Sequence, residues 1–186
     1  MDDAELRTQL EHLHPDSYGW ALGCCARNHD EAEEVLQIVY LKILEGRARF
    51  DGRATLKTWL FSVIRHTAID EWRRRAIRRL TLMNHGEPGA RLAREERADE
   101  AIERSQIQAI CRRALDALPR RQREVLQLVF YHDLNLQEAA DVMDVSLGSA
   151  RTHYDRGKKR LRHAMHTLGV YDEPGLERTT TESTLR

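Results

Sequence analysis

Apolar residues recur at helical spacing in successive segments of the chain, which predicts an all-α protein. Residues 4–13 carry three leucines at this spacing, and Pro15 is expected to end that helix, because proline disrupts helix interiors. A second helix is predicted from Ser17 or Tyr18 to Arg27.

A longer helix is predicted from Asp30 to about Glu45, with Asp30 as its N-cap and Glu33 at the capping-box position. Its inward stripe consists of Ala32, Val35, Leu36, Val39, Tyr40, Ile43 and Leu44. A second stripe, at i, i+3, i+4 and i+7, mixes polar and apolar residues: Glu34, Gln37, Ile38 and Leu41. Exposed Ile and Leu beside Gln and Glu favour a protein partner. The alternative is partial burial of this stripe against the first helix.

Residues 50–75 interleave aromatic and arginine side chains with an apolar helical stripe. The stripe predicted to face inward is Leu56, Leu60, Val63, Ile64, Thr67 and Ala68, whereas Phe61, Arg65, Ile69 and Arg73 fall on another side, with Trp59, Ser62, His66 and Asp70 beside them. Arginine neutralises phosphate, and an aromatic ring stacks on an unpaired base for roughly 1–3 kcal/mol. This face therefore predicts binding of single-stranded or opened DNA. The alternative is an amphipathic helix with a solvated basic face.

A helix-turn-helix is predicted in the second half of the chain. After a helix with an apolar stripe from Ile107 to Leu118, Pro119 begins another helix. Asn135 is expected to cap a short helix with Glu138 at its third position, and Asp144-Val145-Ser146 forms a tight turn whose serine caps the next helix. A short helix, a tight turn and a longer helix are the pattern of this DNA-binding motif.

The longer helix of this motif has an outward face suited to a DNA groove. Ala150, Tyr154, Gly157 and Leu161 are predicted to face inward, which leaves Ser149, Arg151, Thr152, His153, Asp155, Arg156 and Lys159 outward. Arginine can bind guanine through two hydrogen bonds, and the lysines and arginines from Lys158 to Arg162 can follow phosphates. The alternative is an ordinary helical hairpin with a basic surface.

The composition of the chain and of its segments indicates the domain organisation. The chain has 186 residues, 32% of them charged, with a formal net charge of zero, so a uniformly basic coat is excluded. Residues 81–104, which include a glycine- and proline-containing stretch, are predicted to be a flexible linker between domains at 1–80 and 105–168, and residues 169–186 a disordered tail. No signal peptide or membrane span is expected, which predicts a cytoplasmic protein.

Cysteines and histidines near the N-terminus could be gathered into a metal site, but their spacing matches no zinc pattern. We therefore expect no metal or cofactor, and we expect Cys25 and Cys111 to be buried as small apolar side chains.

Three segments in this order resemble the extracytoplasmic-function (ECF, group IV) sigma factors of bacterial RNA polymerase. They are DEAEEVLQIVYLKIL, RFDGRATLKTWLFSVIRHTAIDEWRRR and ALDALPRRQREVLQLVFYHDLNLQEAADVMDVSLGSARTHYDRGKKRLR. The resemblance implies a helical region 2 domain and a region 4 helix-turn-helix domain joined by a flexible linker. It also implies a protein that is not an enzyme, but that binds core RNA polymerase and directs it to promoters. His66 and Gly157 depart from the Asn and Ala that are usual in the family.

The resemblance also implies a role for each candidate residue. Those that dock on the clamp helices of the polymerase β′ subunit would be Glu33, Glu34, Gln37, Ile38 and Leu41. The loop from Phe50 to Thr55 and the helix after it would capture and flip a base of the minus-ten element, with contacts from Arg53, Trp59, Phe61, Arg65, His66, Asp70, Arg73 and Arg74. The minus-35 element would be read by Ser149, Arg151, Thr152, His153, Asp155, Arg156 and Lys159. Further implied partners are the polymerase β flap and an anti-sigma factor.

A free-standing helix-turn-helix regulator is the rival function. Such a protein normally dimerises on a palindrome and binds duplex DNA tightly without polymerase. A metal-dependent enzyme or sensor is a second rival, although the sequence has no paired ligand motif such as H-E-x-x-H.

Overall fold

Seven α-helices make up the residues that this computed structural model describes, which are 3–84 and 106–167. They are α1 (Asp3–Cys24), α2 (His29–Leu44), α3 (Leu56–Asn84), α4 (Gln106–Asp116), α5 (Arg120–Phe130), α6 (Leu136–Met143) and α7 (Leu147–Thr167). The predicted all-α class is confirmed. Most of the predicted linker and the predicted tail lie outside the described residues, and α3 runs past the predicted domain boundary at residue 80. No described helix has an apolar stretch long enough to span a bilayer.

Helix α1 is continuous although Pro15 lies inside it, so the predicted break at this proline was wrong. A proline in a helix interior removes a hydrogen bond and costs about 3 kcal/mol. Leu10 and Trp20, on either side of Pro15, are both buried in the core. Each buried large side chain contributes roughly 1.5–3 kcal/mol, so tertiary packing offsets the cost of the proline.

Helix α2 starts one residue before the predicted N-cap. Asn28 is the actual cap, because its side-chain oxygen accepts a hydrogen bond from the Glu31 backbone N–H at 3.1 Å. Ala26 and Arg27 have φ angles of 51° and 64°, which reverse the chain sharply and bring the helix start forward. The inward stripe is buried at Ala32, Val35, Leu36, Val39 and Ile43, as predicted. Leu44 was predicted inward but is exposed, since it is the last helical residue and lies at the rim of a shallow groove beside α1.

The helix-turn-helix is confirmed in α6 and α7. Asn135 accepts from the Glu138 backbone N–H at 3.0 Å, and the Glu138 carboxylate accepts from the Asn135 backbone N–H at 2.9 Å, which completes the predicted capping box. Asp144 adopts the left-handed conformation that closes the turn. Ser146 then caps α7 by accepting from the Ser149 backbone N–H at 3.2 Å. The local sequence thus sets the angle between the two helices.

Gly157 lets α7 lie close to α5. A Cβ at this position would meet the Gln122 backbone oxygen and a methyl carbon of Leu126, both at 3.2 Å. This distance is tighter than ordinary van der Waals contact. The glycine that departs from the family pattern is therefore accommodated by close helix packing, and its low helix propensity is the cost of that approach.

The two halves of the chain pack against each other, with α3 on α6 and α1 on α5. Buried side chains from both halves, among them Phe61 and Leu128, belong to one hydrophobic cluster. The sequence predicted two modules joined by a flexible linker, and in this conformation the described parts of the two modules are in direct contact. The reason is that part of the α3 face predicted to point outward is apolar, and this part is buried against the second half.

Candidate nucleic-acid and protein interfaces

The stripe on α2 predicted to bind polymerase is accessible. Glu33, Glu34, Gln37 and Leu41 are exposed, and Ile38 is half-buried. Leu41 leaves 52% of its surface in water, on the same face as exposed Glu34 and Gln37. The alternative of partial burial therefore applies to Ile38 alone within this stripe.

Arg75 of α3 orients the acidic end of this stripe. Its guanidinium forms an ion pair with Glu31 at 2.6 Å and a second ion pair with Glu34. Burial lowers the pKa of Arg75, but the two carboxylates outweigh burial and the pKa is raised overall. Glu34 is thus held in one place on the surface of α2 by a residue of the neighbouring helix.

The loop before α3 carries the first group of residues that were predicted to contact the minus-ten DNA strand. Arg53 is highly exposed and forms an ion pair with Asp51 at 3.2 Å. Trp59 is half-buried, with its ring 5.5 Å from the ring of Phe50. The Thr55 hydroxyl accepts from the Thr58 backbone N–H at 3.1 Å, which starts α3 at this point. The loop therefore presents one exposed cation, and its Phe50 forms an aromatic pair with Trp59 at the start of α3.

Further along α3, four of the residues predicted to contact the minus-ten DNA strand are exposed: His66, Asp70, Arg73 and Arg74. Arg73 lies 3.8 Å from Asp70, and Arg74 donates to Glu71 at 2.5 Å. An exposed pair such as Arg73–Asp70 contributes at most about 1 kcal/mol, so Arg73 can exchange its carboxylate for a phosphate at low cost. Arg74, by contrast, pairs with a carboxylate that is itself buried.

Phe61 and Arg65 are the exceptions, because both are buried between the two halves. Their predicted place on an outward face was wrong for this conformation. Phe61 is fully buried, with its ring stacked on Trp20 at 5.8 Å and edge-on to His132 at 4.8 Å. Arg65 Nε donates to Glu124 Oε2 at 3.2 Å. The helical period of α3 was predicted correctly, but the second half covers this part of its outer face.

Sequence reasoning missed Glu124 and His132, which cover these two residues. A signal for Glu124 was available, since an acid four residues before the inward Leu128 lies on the buried side of α5 and needs a partner there. Besides Arg65, Arg120 is a second partner of the Glu124 carboxylate, with its Nε 2.8 Å from Glu124 Oε1. His132 follows α5 in a loop, where no periodicity marks it as buried.

Burial lowers the pKa of His132 to about 4, with smaller effects from Asp16, which raises it, Lys57, which lowers it, and Asp133, which raises it. These charges belong to α1, α3 and the loop of His132 itself. Its Nδ1 atom is buried and has no hydrogen-bond partner among the described residues. The imidazole is therefore neutral at pH 7 and packs as an aromatic ring.

We expect acid to destabilise the protein through His132. The unfolded chain binds this proton near pH 6.5 and the folded chain only near pH 4, so the stabilisation is complete above pH 6.5 and is lost as the pH falls toward 4. At pH 5 the loss is about 2 kcal/mol. Urea unfolding of the wild type and His132→Phe at pH 7 and pH 5 measures it, because the variant keeps an aromatic ring without the titration. Equal losses in both proteins would contradict this assignment.

The outward face of α7 is the second candidate interface. Ser149, Arg151, Thr152, Asp155, Arg156 and Lys159 are exposed as predicted, and His153 is half-buried. The described residues include no ion-pair partner for the charged members of this set. The Thr152 hydroxyl donates to the Gly148 carbonyl at 2.9 Å, which fixes its rotamer. The cations of this face are thus free to meet DNA.

Tyr154 is only half-buried, whereas the sequence predicted it inward. Its ring stacks on exposed Phe130 at 5.9 Å, and Lys158 Nζ lies 4.4 Å above it. This aromatic group at the junction of α5 and α7 was missed, because Phe130 falls at the end of its helix, where the inward stripe no longer applies.

The cysteines near the N-terminus carry no sign of a metal site. The described residues contain no group of three His, Cys, Asp or Glu side chains arranged to hold a metal ion. Cys25 is buried as predicted, whereas Cys111 is only half-buried. Burial is the main cause that raises the pKa of Cys25 to about 11, so its thiol is protonated at neutral pH.

Comparison with protein families agrees with this geometry. The sigma-70 region 2 family matches residues 10–77, and the sigma-70 region 4 family matches residues 114–163. The first range covers most of α1–α3 and the second most of α4–α7. The chain is therefore a sigma factor with both of these regions.

Similar curated proteins show to which class of sigma factors the chain belongs. The chain is 31% identical over 179 residues to the ECF RNA polymerase sigma factor SigX of Bacillus subtilis (strain 168), covering 93% of this chain and 91% of the relative. It is 33% identical over 137 residues to the ECF sigma factor SigF of Caulobacter vibrioides (strain NA1000 / CB15N), covering 73% of this chain and 69% of SigF. The chain belongs to the ECF RNA polymerase sigma factors, and it directs RNA polymerase to promoters.

Two solved structures share the fold. One is the sigma factor RpoE in complex with the anti-sigma factor NepR from Bartonella quintana, with a TM-score of 0.67 at 19% identity, covering 87% of this chain and 97% of that one. The other is CnrH in complex with the cytosolic domain of CnrY, with a TM-score of 0.56 at 19% identity, covering 86% and 87% of the two chains.

Proposed function

We propose that three surfaces of this sigma factor divide the work of initiation. The α2 stripe docks on the clamp helices of the polymerase β′ subunit, the loop from Phe50 to Thr55 with α3 holds the opened strand of the minus-ten element, and α7 reads the minus-35 duplex. The observation that carries this proposal is the simultaneous exposure of an apolar-acidic stripe on α2 and of the basic residues Arg151, Arg156 and Lys159 on α7. The first suits a protein and the second suits DNA.

The chemistry of the α2 stripe supports a protein partner of mixed character. Leu41 supplies apolar area, Gln37 supplies a neutral donor and acceptor, and Glu34 is held in place by Arg75. A pre-positioned acid loses less conformational freedom on docking than a mobile one. The aromatic pair of exposed Phe130 and half-buried Tyr154 on the other half is a candidate contact for the polymerase β flap.

Strand capture is supported by the aromatic pair of Trp59 and Phe50 and by the exposed cations of the loop and of α3. Opening the duplex costs unstacking energy of a few kcal/mol per base, which captured bases and the core enzyme must offset. Trp59 offers an aromatic surface beside the exposed loop, and His66, Arg73 and Arg74 continue along α3. A strand that follows α3 would therefore meet His66 and then the cations Arg73 and Arg74.

The expected separation of duplex reading from strand opening tests the proposal. Arg151→Ala should weaken binding to the closed promoter by about 10- to 100-fold, because a bidentate arginine–guanine contact is worth about 1–3 kcal/mol. Trp59→Ala should leave closed binding nearly unchanged and reduce strand opening, since one stacked base is worth about 1–3 kcal/mol. Footprinting at low temperature measures the first step, and permanganate reactivity of unpaired thymines measures the second.

Arg47→Ala provides the matched control, because Arg47 is an exposed arginine that pairs with Glu45 outside the three surfaces. It should leave both steps unchanged. If Arg151→Ala and Trp59→Ala reduced closed binding equally, the division of labour would be wrong. Tight binding of the isolated protein to duplex DNA without polymerase would instead favour the free-standing regulator.

An anti-sigma factor is a further proposed partner. The two solved structures that share this fold are complexes with the anti-sigma factor NepR and with the cytosolic domain of CnrY. We place the protein in the cytoplasm, where RNA polymerase works, and assign it no enzymatic activity or cofactor. Co-purification of a regulatory protein that dissociates when core polymerase is added would support this partner.

A further inference from the structure

An acidic residue, Asp155, lies in the middle of the basic face of α7. Ala150 and Gly157 are the buried residues of this helix, and the helical period places Asp155 on the opposite side, in one row with Thr152 and Lys159. All three residues of this row are exposed. A carboxylate in this position repels DNA phosphates, so a face that only attracted phosphates would be better without it.

The neighbouring cations of α7 do not neutralise Asp155. Arg151 and Lys159 lie four positions before and after it, which is the spacing at which ion pairs form on a helix. Neither forms such a pair, and within residues 3–84 and 106–167 the Asp155 carboxylate has no ion-pair partner. The carboxylate is therefore open to a hydrogen-bond donor outside the protein.

Few groups in the major groove can donate to a carboxylate. Guanine presents the acceptors N7 and O6 there, and thymine presents the acceptor O4 and a methyl group. Adenine has an N6 amino donor, but its acceptor N7 lies beside this donor and would repel a second carboxylate oxygen. Cytosine presents its N4 amino group with no acceptor beside it on the same base, so cytosine is the base that suits an aspartate.

We propose that Asp155 is a specificity-determining residue of this sigma factor: its carboxylate accepts a hydrogen bond from the N4 amino group of one cytosine in the minus-35 element. This inference rests on the role proposed above for α7, and it adds which base is selected and by which residue. Any other base leaves the carboxylate desolvated without its donor, which is the repulsive element that discrimination between sequences needs. The cations of the face supply affinity, and Asp155 supplies selectivity at one base pair.

Selection from random-sequence DNA duplexes tests this inference. Holoenzyme assembled from core bacterial polymerase and the full chain is bound to the library at low temperature, and the bound duplexes are sequenced and aligned. We expect the wild type to prefer cytosine at one position of the minus-35 element by about five- to tenfold over the other bases. Asp155→Ala should remove the preference at this position and leave the preferences at the other positions unchanged.

Asp155→Asn gives the sharper result, because an asparagine side chain binds the N6 and N7 atoms of adenine through two hydrogen bonds. The preferred base pair at this one position should change from C·G to A·T in the same orientation. The side chain is exposed and the two residues are almost the same size, so the variant should fold like the wild type. An unchanged thermal melting curve followed by circular dichroism checks this point.

Two control variants separate base selection from a simple change of charge. Asp30→Asn removes an exposed carboxylate at the start of α2 and should keep every base preference of the wild type. Lys159→Ala removes a cation from the same row of α7 and should weaken binding to all sequences by a similar factor, because a phosphate contact carries no sequence information.

The inference is overturned if the Asp155 variants keep the wild-type preference at every position, or if the position that they change does not carry cytosine in the wild type. Failure of the role proposed for α7 would show separately. In that case the duplexes selected by the wild-type holoenzyme would share no upstream element at all.

Discussion

Trp20→Ala is expected to lower the free energy of unfolding by about 3–5 kcal/mol, the range for truncating a large buried aromatic side chain. Trp20 is fully buried where α1 meets both α3 and the second half. Its indole N–H donates to the Phe61 carbonyl at 3.0 Å, so truncation also removes the partner of a buried acceptor. Urea unfolding followed by circular dichroism measures the loss.

Trp72→Ala is the control for this experiment, because Trp72 is 64% exposed on α3. Its truncation should change stability by no more than about 0.5 kcal/mol. A Trp20→Ala protein as stable as Trp72→Ala would show that the core does not centre on the junction of the two halves.

Leu41→Glu is expected to weaken binding to core polymerase by at least about 30-fold, the equivalent of about 2 kcal/mol lost at an interface hot spot. The reason is that a charge would replace the largest exposed apolar side chain of the proposed docking stripe and would be desolvated there. Because Leu41 is 52% exposed, the fold itself should be unaffected. Titration of labelled protein with core polymerase, without DNA, measures the affinity.

Leu80→Glu is the matched control, since Leu80 is 64% exposed on α3 and lies outside the α2 stripe. It should bind core polymerase like the wild type. Equal affinity of the Leu41 and Leu80 variants would remove the docking role from α2.

Local signals explain why the helix-turn-helix could be predicted from the sequence. Asn135 and Glu138 form a capping box within four residues, and Ser146 caps the next helix from within its own turn. The exposed face of α7 follows from the helical period once Ala150 is fixed inward. These features depend on neighbours close in sequence, so the sequence alone carries them.

Long-range contacts explain what the sequence did not show. Arg65 and Glu124 are 59 positions apart, and no period links α3 to α5. Continuity of α1 through Pro15 likewise depends on how Leu10 and Trp20 pack on other helices. A helical pattern tells which residues share a face, but it does not tell what covers that face.

Transcription in vitro from a random promoter library tests the central claim most directly. Core bacterial RNA polymerase is incubated with the library, with and without this protein, and the 5′ ends of the transcripts are mapped. We expect the protein to direct starts to a small set of templates that share two elements, one read by α7 and one opened beside α3. Transcript ends that are identical with and without the protein would contradict its assignment as a sigma factor that directs RNA polymerase to promoters.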